Sequence, residues 1–158
     1  KAKCERDGWH LNHDNVLNVV YPEYRDRSKM VTELAKHPDP KKHFHKLYQQ
    51  AVKRWIEDDG EFEERFEDFE SRIQTGLTDL ISKADKGQTI VVVSSAGPIA
   101  MCMKQVMGLS VEKAFALNEI MANSAVSRIL FNEQGDMNLS FFNSYQHLPL
   151  NNVKITYR

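Results

Sequence analysis

The sequence predicts a layered α/β domain with a mixed sheet. Three patterns carry that expectation. Wide apolar stripes recur at helical spacing between Asp39 and Ala84, a β-branched run occupies Thr89 to Val93, and a hairpin pattern extends from Val126 to Phe142. At 158 residues the chain suits one compact domain and is too short for two ordinary ones.

The stretch through Pro22 reads as irregular, because Leu11, Val16, Leu17, Val19 and Val20 are interrupted by Asn and Asp and stopped at Tyr21-Pro22. A short helix is expected over Ser28 to Ala35, with Met30, Val31 and Leu34 on one side and Ser28 as N-cap. His37-Pro38-Asp39-Pro40 ends it. Asp39 then caps a second helix with Pro40 at its first position, where a missing amide hydrogen costs nothing. Its stripe is Phe44, Leu47, Tyr48, Ala51, Val52, Trp55 and Ile56.

A third helix follows Gly60, with Phe62, Phe66, Phe69, Ile73, Leu77, Leu80, Ile81 and Ala84 stepping by three and four. Acids crowd its first turns, which suits the positive end of a helix dipole. After Gly87 the run Thr89-Ile90-Val91-Val92-Val93 reads as a strand covered on both faces. It leads through Ser94-Ser95-Ala96-Gly97 into Pro98, which opens an apolar helix to Met107, with Gly108 as its C′ residue. Ser110 caps a further helix containing Val111, Ala114, Phe115 and Leu117. The remainder reads as strands Val126–Asn132 and Met137–Phe142 about the turn Glu133–Asp136, then a short extended tail, Val153–Tyr157.

A net charge of −1 gives no reason to expect nucleic acid or an anionic membrane as partner. Cys4 and Cys102 lie far apart without CxxC spacing, which suggests a reducing, cytoplasmic setting. No apolar run reaches the roughly 18 residues of a membrane span, and no signal-peptide pattern is present. The chain starts at Lys1 without an initiator Met, consistent with a processed start or a missing upstream piece.

The most informative local signal for chemistry is the apolar run feeding Ser94-Ser95-Ala96-Gly97-Pro98. In open α/β sheets, ligands collect beyond the carboxyl ends of strands. Small residues admit a ligand to the backbone, and the first amides of a helix favour an anion such as phosphate. The bland alternative is a tight strand-to-helix turn built from small residues.

Val92-Val93-Ser94-Ser95-Ala96-Gly97-Pro98-Ile99 resembles the second signature of the histidine phosphatase superfamily, V-V-S-H-G-G-x-I. Gly108-Leu109 is similar to that family's helix-closing stretch, and Asn123-Ser124-Ala125-Val126 resembles its N-A-S-V segment. Ser140 to Leu148 resembles a closing y-F-N-S-x-x-H-L of one bacterial branch, whose C-terminus Ile155-Thr156-Tyr157-Arg158 also resembles. Gly8-Trp9 with His13-Asp14 is similar to the branch's G-W-N-E-F-D-H-E segment.

The resemblance implies a three-layer α/β/α, phosphoglycerate-mutase-like fold with a mixed central sheet, here the C-terminal two-thirds of one domain lacking the N-terminal strand. Residues 22–60 would be a cap or insert. It further implies phosphomonoester chemistry through a phosphohistidine, with arginines and a second His on the phosphoryl oxygens and an acid on the leaving group. Positioning and charge stabilisation dominate such transfers. No metal or other cofactor is implied. Without its first-strand neighbour, the run at Ile90 would leave backbone groups unpaired, a gap filled by an upstream segment or by a homo-oligomer.

The departures are specific. No Arg-His-Gly occurs in the chain, Ser95 stands at the second His position, and Ala96 replaces the first Gly after it. Ser donates a hydrogen bond to phosphate but brings no positive charge. Aligning the G-W-N-E-F-D-H segment needs one deletion, which puts His10 at the acid's position and His13 at the family His. His10 has a suitable ordinary pKa for a general acid; the plain alternative is a solvated loop residue.

The candidate site is therefore His10 and Ser95 as catalytic residues, Ser94, Ser95, Ala96 and Gly97 as the phosphate cradle, and His13 and Asn123 in support. His43 and His45, two apart on a helix, share no face and make a poor metal pair. His37 is expected in a loop, the acids of Glu57–Glu70 on a solvated face, and Met101, Met103 and Met107 in the core. His147 is expected to tie the last loop down, and Arg128 lies on a strand face the sequence does not define.

Three functions follow. The first is a phosphatase for a small phosphorylated molecule whose nucleophile lies upstream. The second is a degenerate member that binds phosphorylated ligands or a protein partner without turnover. The third is a generic interaction domain.

Overall fold

The computed structural model describes residues 13–58 and 60–157, and the side chains from residue 16 onward. The chain divides into two compact units, Asn12–Glu70 and a second running from Ser71 to the C-terminus. Helix and sheet are both present, as the α/β class requires.

The first unit contains α1 (His13–Val20), a 3-10 turn (Pro22–Arg25), α2 (Arg27–Leu34), α3 (Pro40–Ile56) and the start of α4 (Phe66–Ser82). The segment expected to be irregular holds α1, and its Val16 and Leu17 are buried. α2 starts one residue earlier than Ser28: Asp26 is the N-cap, its carboxylate accepting from the amides of Ser28 and Lys29. Asp39 caps α3 as its sequence indicates, accepting from Lys42 N at 3.0 Å with Pro40 in the first turn.

Trp55 organises this unit. It is fully buried with Phe69 and Ala51, and Phe66 meets it edge-on at 5.2 Å between ring centroids. Its indole Nε1–H donates to Glu64 O at 2.7 Å, so the one polar atom of the ring is satisfied. Arg65 closes the same turn with two bonds to Asp58, Nε to Oδ1 at 3.1 Å and Nη2 to Oδ2 at 2.7 Å. Gly60 is required here, since a Cβ would meet Phe62 at 3.0 Å and Val19 at 3.2 Å, at a φ of +152°. The third helix thus begins at Phe66, later than its apolar stripe suggests, because residues 60–65 form this turn.

The second unit contains the rest of α4, α5 (Ala96–Met107), α6 (Val111–Ile120), β1 (Val126–Phe131), β2 (Met137–Ser144) and the short α7 (His147–Leu150). Its buried apolar residues include Ile73, Ala100, Met101, Met103, Ala114, Met121 and Leu148. Met107, expected in the core, is half exposed. Gly108 ends α5 at φ 63°, and both its amide and that of Leu109 bond to Lys104 O. A left-handed C′ residue is what glycine does best. Ser110 caps α6, its hydroxyl accepting from Lys113 N and holding the Glu112 carboxyl below the usual carboxylate range.

β1 and β2 form an antiparallel pair with register Ile129↔Leu139 and Phe131↔Met137. Asn132 shapes their turn: its Oδ1 accepts from Gln134 N and Asp136 N, and its Nδ2 donates to Asp136 Oδ2. Near its end β2 bulges, and Asn143 sits there at φ 55°. Asn143 Oδ1 accepts from Ala122 N and its Nδ2 donates to Ile120 O, both at 2.9 Å, while its own amide donates to Ser127 Oγ at 3.1 Å. One residue thereby joins the end of α6 to both strands, through its side chain and its backbone amide. The C-terminal tail runs past the same place, with Ala122 bridging to Tyr157.

The largest departure from expectation is Thr89–Ser94. It forms no strand, and no backbone hydrogen bond involves it among the described residues. Val91 and Val93 are 82% and 86% exposed. β-branching favours extended backbone, but a strand exists only against a neighbour. The sheet of the described residues is accordingly the two-stranded β1–β2 pair.

Replacing Asn143 tests the clamp. Asn143→Gly keeps the positive φ and loses both side-chain bonds, costing about 2 kcal/mol. Asn143→Ala costs about 1 kcal/mol more because it also adopts a left-handed backbone. Urea-denaturation midpoints should fall in that order.

Candidate functional site

Ser94–Gly97 is the entrance to α5. Ser95 is the N-cap residue with φ −104° and ψ 170°, and its backbone carbonyl accepts the first helical bond from Ile99 N. The Ser95 side chain makes no capping hydrogen bond to this helix. Pro98, the third residue, has no amide to offer, so the donors of the first turn are those of Ala96 and Gly97. Gly97 and Pro98 are buried, and Ser94 Oγ is buried without a hydrogen-bond partner among the described residues. A buried hydroxyl of that kind just before the amides of a helix N-terminus is chemically suited to an anion.

The other sequence candidates are placed less fully. His10 lies outside the described residues. His13 begins α1, in the first unit, and its side chain is likewise outside them. Asn123 belongs to the second unit with Ser94–Gly97. Its Nδ2 donates to Thr156 Oγ1 at 3.0 Å and its amide to Thr156 O at 2.9 Å, so it pins the C-terminal tail. Tyr145 and Tyr157 add a phenol–phenol hydrogen bond there, which raises the Tyr157 pKa above its ordinary value.

Arg128 lies on the exposed face of β1, with Val126 and Leu130. The His147 side chain is exposed, and it is the His147 carbonyl that is used, accepting from Asn151 Nδ2. In the first unit the His37 ring stacks on His43 at 3.5 Å between centroids. Among the described residues no three His, Cys, Asp or Glu side chains come close enough to hold a metal ion. The residue that sequence reasoning passed over is Asn143; its signal was the F-N-S segment, quoted for resemblance without a role for its Asn.

Cys102 faces into the unit from α5, and burial pushes its thiol up to about 11 from an ordinary 9.0. A thiol so placed is a packing group and not a nucleophile.

The model of the histidine phosphatase superfamily (branch 1) matches residues 19–144, and the chain belongs to that superfamily. The matched range includes Ser94–Gly97, Asn123 and Asn143. No curated protein and no solved structure matches the chain. Among the described residues no helix is long and apolar enough to cross a membrane.

The thiol supplies a test with a defined sign. Because the folded pKa is raised, the stability linked to Cys102 is complete below pH 9 and declines as pH rises toward 11, where only the unfolded thiol ionises at first. The decline is on the order of 2–3 kcal/mol. In a Cys4→Ser background, Cys102→Ala should flatten this slope in denaturation curves between about pH 8.5 and 11.

Proposed function

We propose that this chain supplies the phosphate-binding wall of a histidine phosphatase acting on a small phosphomonoester, the nucleophilic His being carried on an upstream segment. Family membership supports the class of chemistry. The observation that carries the reading is the entrance to α5, where Ser94 Oγ is buried without a hydrogen-bond partner among the described residues, just before the amides of Ala96 and Gly97. Under this reading the amides of Ala96 and Gly97 and the hydroxyls of Ser94 and Ser95 hold the phosphoryl oxygens. His attack on phosphorus forms the phosphohistidine as the alcohol leaves with a proton from a general acid. His10 is the candidate for that acid, with His13 in support. Water then attacks the phosphohistidine, releasing phosphate and restoring the His. Fixed donors aimed at oxygens that gain charge lower the barrier without reorganising.

The bare Thr89–Ser94 segment supports an upstream strand as its neighbour. A run of β-branched residues exposed on successive positions is the composition of a strand flanked on both edges and covered on both faces. A strand carrying the nucleophile beside it would bring that His toward the α5 entrance.

A second reading has its own support. Ser95 stands where the family has its second His, and the 158 residues contain no Arg-His-Gly. A degenerate member would use the same cradle to bind a phosphorylated ligand, or a protein partner, without turnover.

The 158-residue chain should hydrolyse an aryl phosphate no faster than buffer, and dose-dependent turnover by a homogeneous preparation would refute the upstream nucleophile. Protein isolated from its native source should exceed the 18.3 kDa of this chain by roughly 60–90 residues. It should form an acid-labile phosphoenzyme with substrate. A native mass equal to that of the chain would favour the degenerate reading. Amide hydrogen exchange gives an independent check: Ile90–Val93 should exchange within seconds in the short chain, as unbonded amides do, and orders of magnitude more slowly in the longer protein.

A further inference from the structure

Within the Asn12–Glu70 unit, α3 carries Lys41, Lys42, Lys46, Lys53 and Arg54 and no acid. Acids fill the turn from Glu57 and the first turn of α4, whereas bases dominate α2 and α3. On α3, Lys42, Lys46, Gln49 and Lys53 recur at intervals of four, three and four residues, one stripe on the side opposite buried Trp55. All four are exposed; Lys41 is exposed too, but lies about 100° around the helix from Lys42. Lys53 has Glu57 at 3.7 Å. Lys41, Lys42 and Lys46 have neither ion pair nor side-chain hydrogen bond among the described residues.

Like charges one turn apart on a helix are mutually destabilising. Lys42 and Lys46 stand in that relation with no acid interposed. A solvated helix face ordinarily mixes signs, whereas here the acids stand only at the two ends of the helix, Asp39 as its N-cap and Glu57 beside Lys53. The arrangement concentrates positive potential on one face and leaves its ammonium donors unused.

We propose that the Lys42–Lys46–Lys53 face of α3 is a docking surface for a small soluble anion carrying two or more phosphate groups. Lys42 and Lys46 are about one helical turn, roughly 6 Å, apart along the axis and Lys53 is about two turns further on, so each can meet a different phosphate. A phosphate offers several strong acceptor oxygens and close to two charges near neutrality, matching the compact three-donor ammonium better than a single carboxylate does. The rest of the face argues against larger partners. A membrane-lying helix presents its apolar side to lipid, and the apolar side of α3 is buried around Trp55. A protein interface needs an aromatic or apolar centre, and the stripe has Gln49 at its middle. This surface is argued from α3 alone and does not depend on the phosphoryl-transfer reading.

Isothermal titration with inositol hexakisphosphate and with inorganic tripolyphosphate tests it. The protein should bind each with 1:1 saturation, more weakly as salt rises from about 50 to 200 mM. K42Q/K46Q should weaken binding roughly tenfold, the value of two exposed ion pairs near the top of their usual range. K83Q/K86Q, which removes the same charge from lysines 72% and 91% exposed elsewhere, should leave it unchanged. Thermal melts of K42Q/K46Q should match or exceed the parent, since the change relieves repulsion. Equal loss in both double variants would reduce the effect to net charge and overturn the proposal. So would unaltered binding by K42Q/K46Q, equal competition by poly-glutamate of matched charge, or binding to anionic phospholipid vesicles without binding to either soluble probe.

Discussion

Peptide groups that leave regular structure must still find hydrogen-bond partners, and in the unit beginning at Ser71 three asparagine side chains meet that demand. Asn132 folds the hairpin turn, Asn123 holds the C-terminal tail, and Asn143 joins the end of α6 to the bulged end of β2. Amide side chains suit this work because each offers a donor pair and an acceptor in one plane and so imitates a peptide. Asn143 pairs the amide and carbonyl that flank Met121, a residue that is itself buried. The arrangement of α6, the hairpin and the tail depends on these bonds, because the two strands bury little apolar surface of their own.

The contrast with Thr89–Ser94 is instructive. That segment has the better strand composition, yet no element among the described residues pairs with it. Composition gives a preference of at most about 1 kcal/mol per residue, far less than the cost of leaving a buried peptide unpaired. Among the described residues the segment therefore stays irregular, with Val91 and Val93 largely exposed. Directly after it the chain enters α5, whose first turn contains buried Gly97 and Pro98 and is anchored by Ala100, Met101 and Met103. The helix start set immediately beyond this segment leaves the amides of Ala96 and Gly97 as its first-turn donors.

Much of this was legible in the sequence, and the reason is locality. The caps by Asp39 and Ser110, the stop at Gly108 and the turn at Gly135 all depend on residues within a few positions of one another. The stripe of α3 around Trp55 is local as well. Two kinds of feature were not legible. α1 was hidden because Asn15 and Asn18 break its apolar pattern, although Val16 and Leu17 bury well. The role of Asn143 and the fate of Thr89–Ser94 depend on partners far along the chain; Asn143 reaches 21 and 23 residues back. At the candidate site, Ser94–Gly97 was found from its strand-to-helix pattern, whereas the contribution of Asn123 to the tail needed the position of Thr156.

Thr-Ile-Val-Val-Val-Ser also has a colloidal meaning. It is uncharged, free of Pro and Gly, and rich in β-branched side chains, the composition from which dry cross-β zippers are built. Lys83 and Lys86 lie just upstream as charged gatekeepers, and Gly97-Pro98 interrupts on the other side, so the hazardous window is short. The exposed Val91, Val92 and Val93 thus give strand pairing between copies a place to start. Covering those valines is the most direct route to a well-behaved protein.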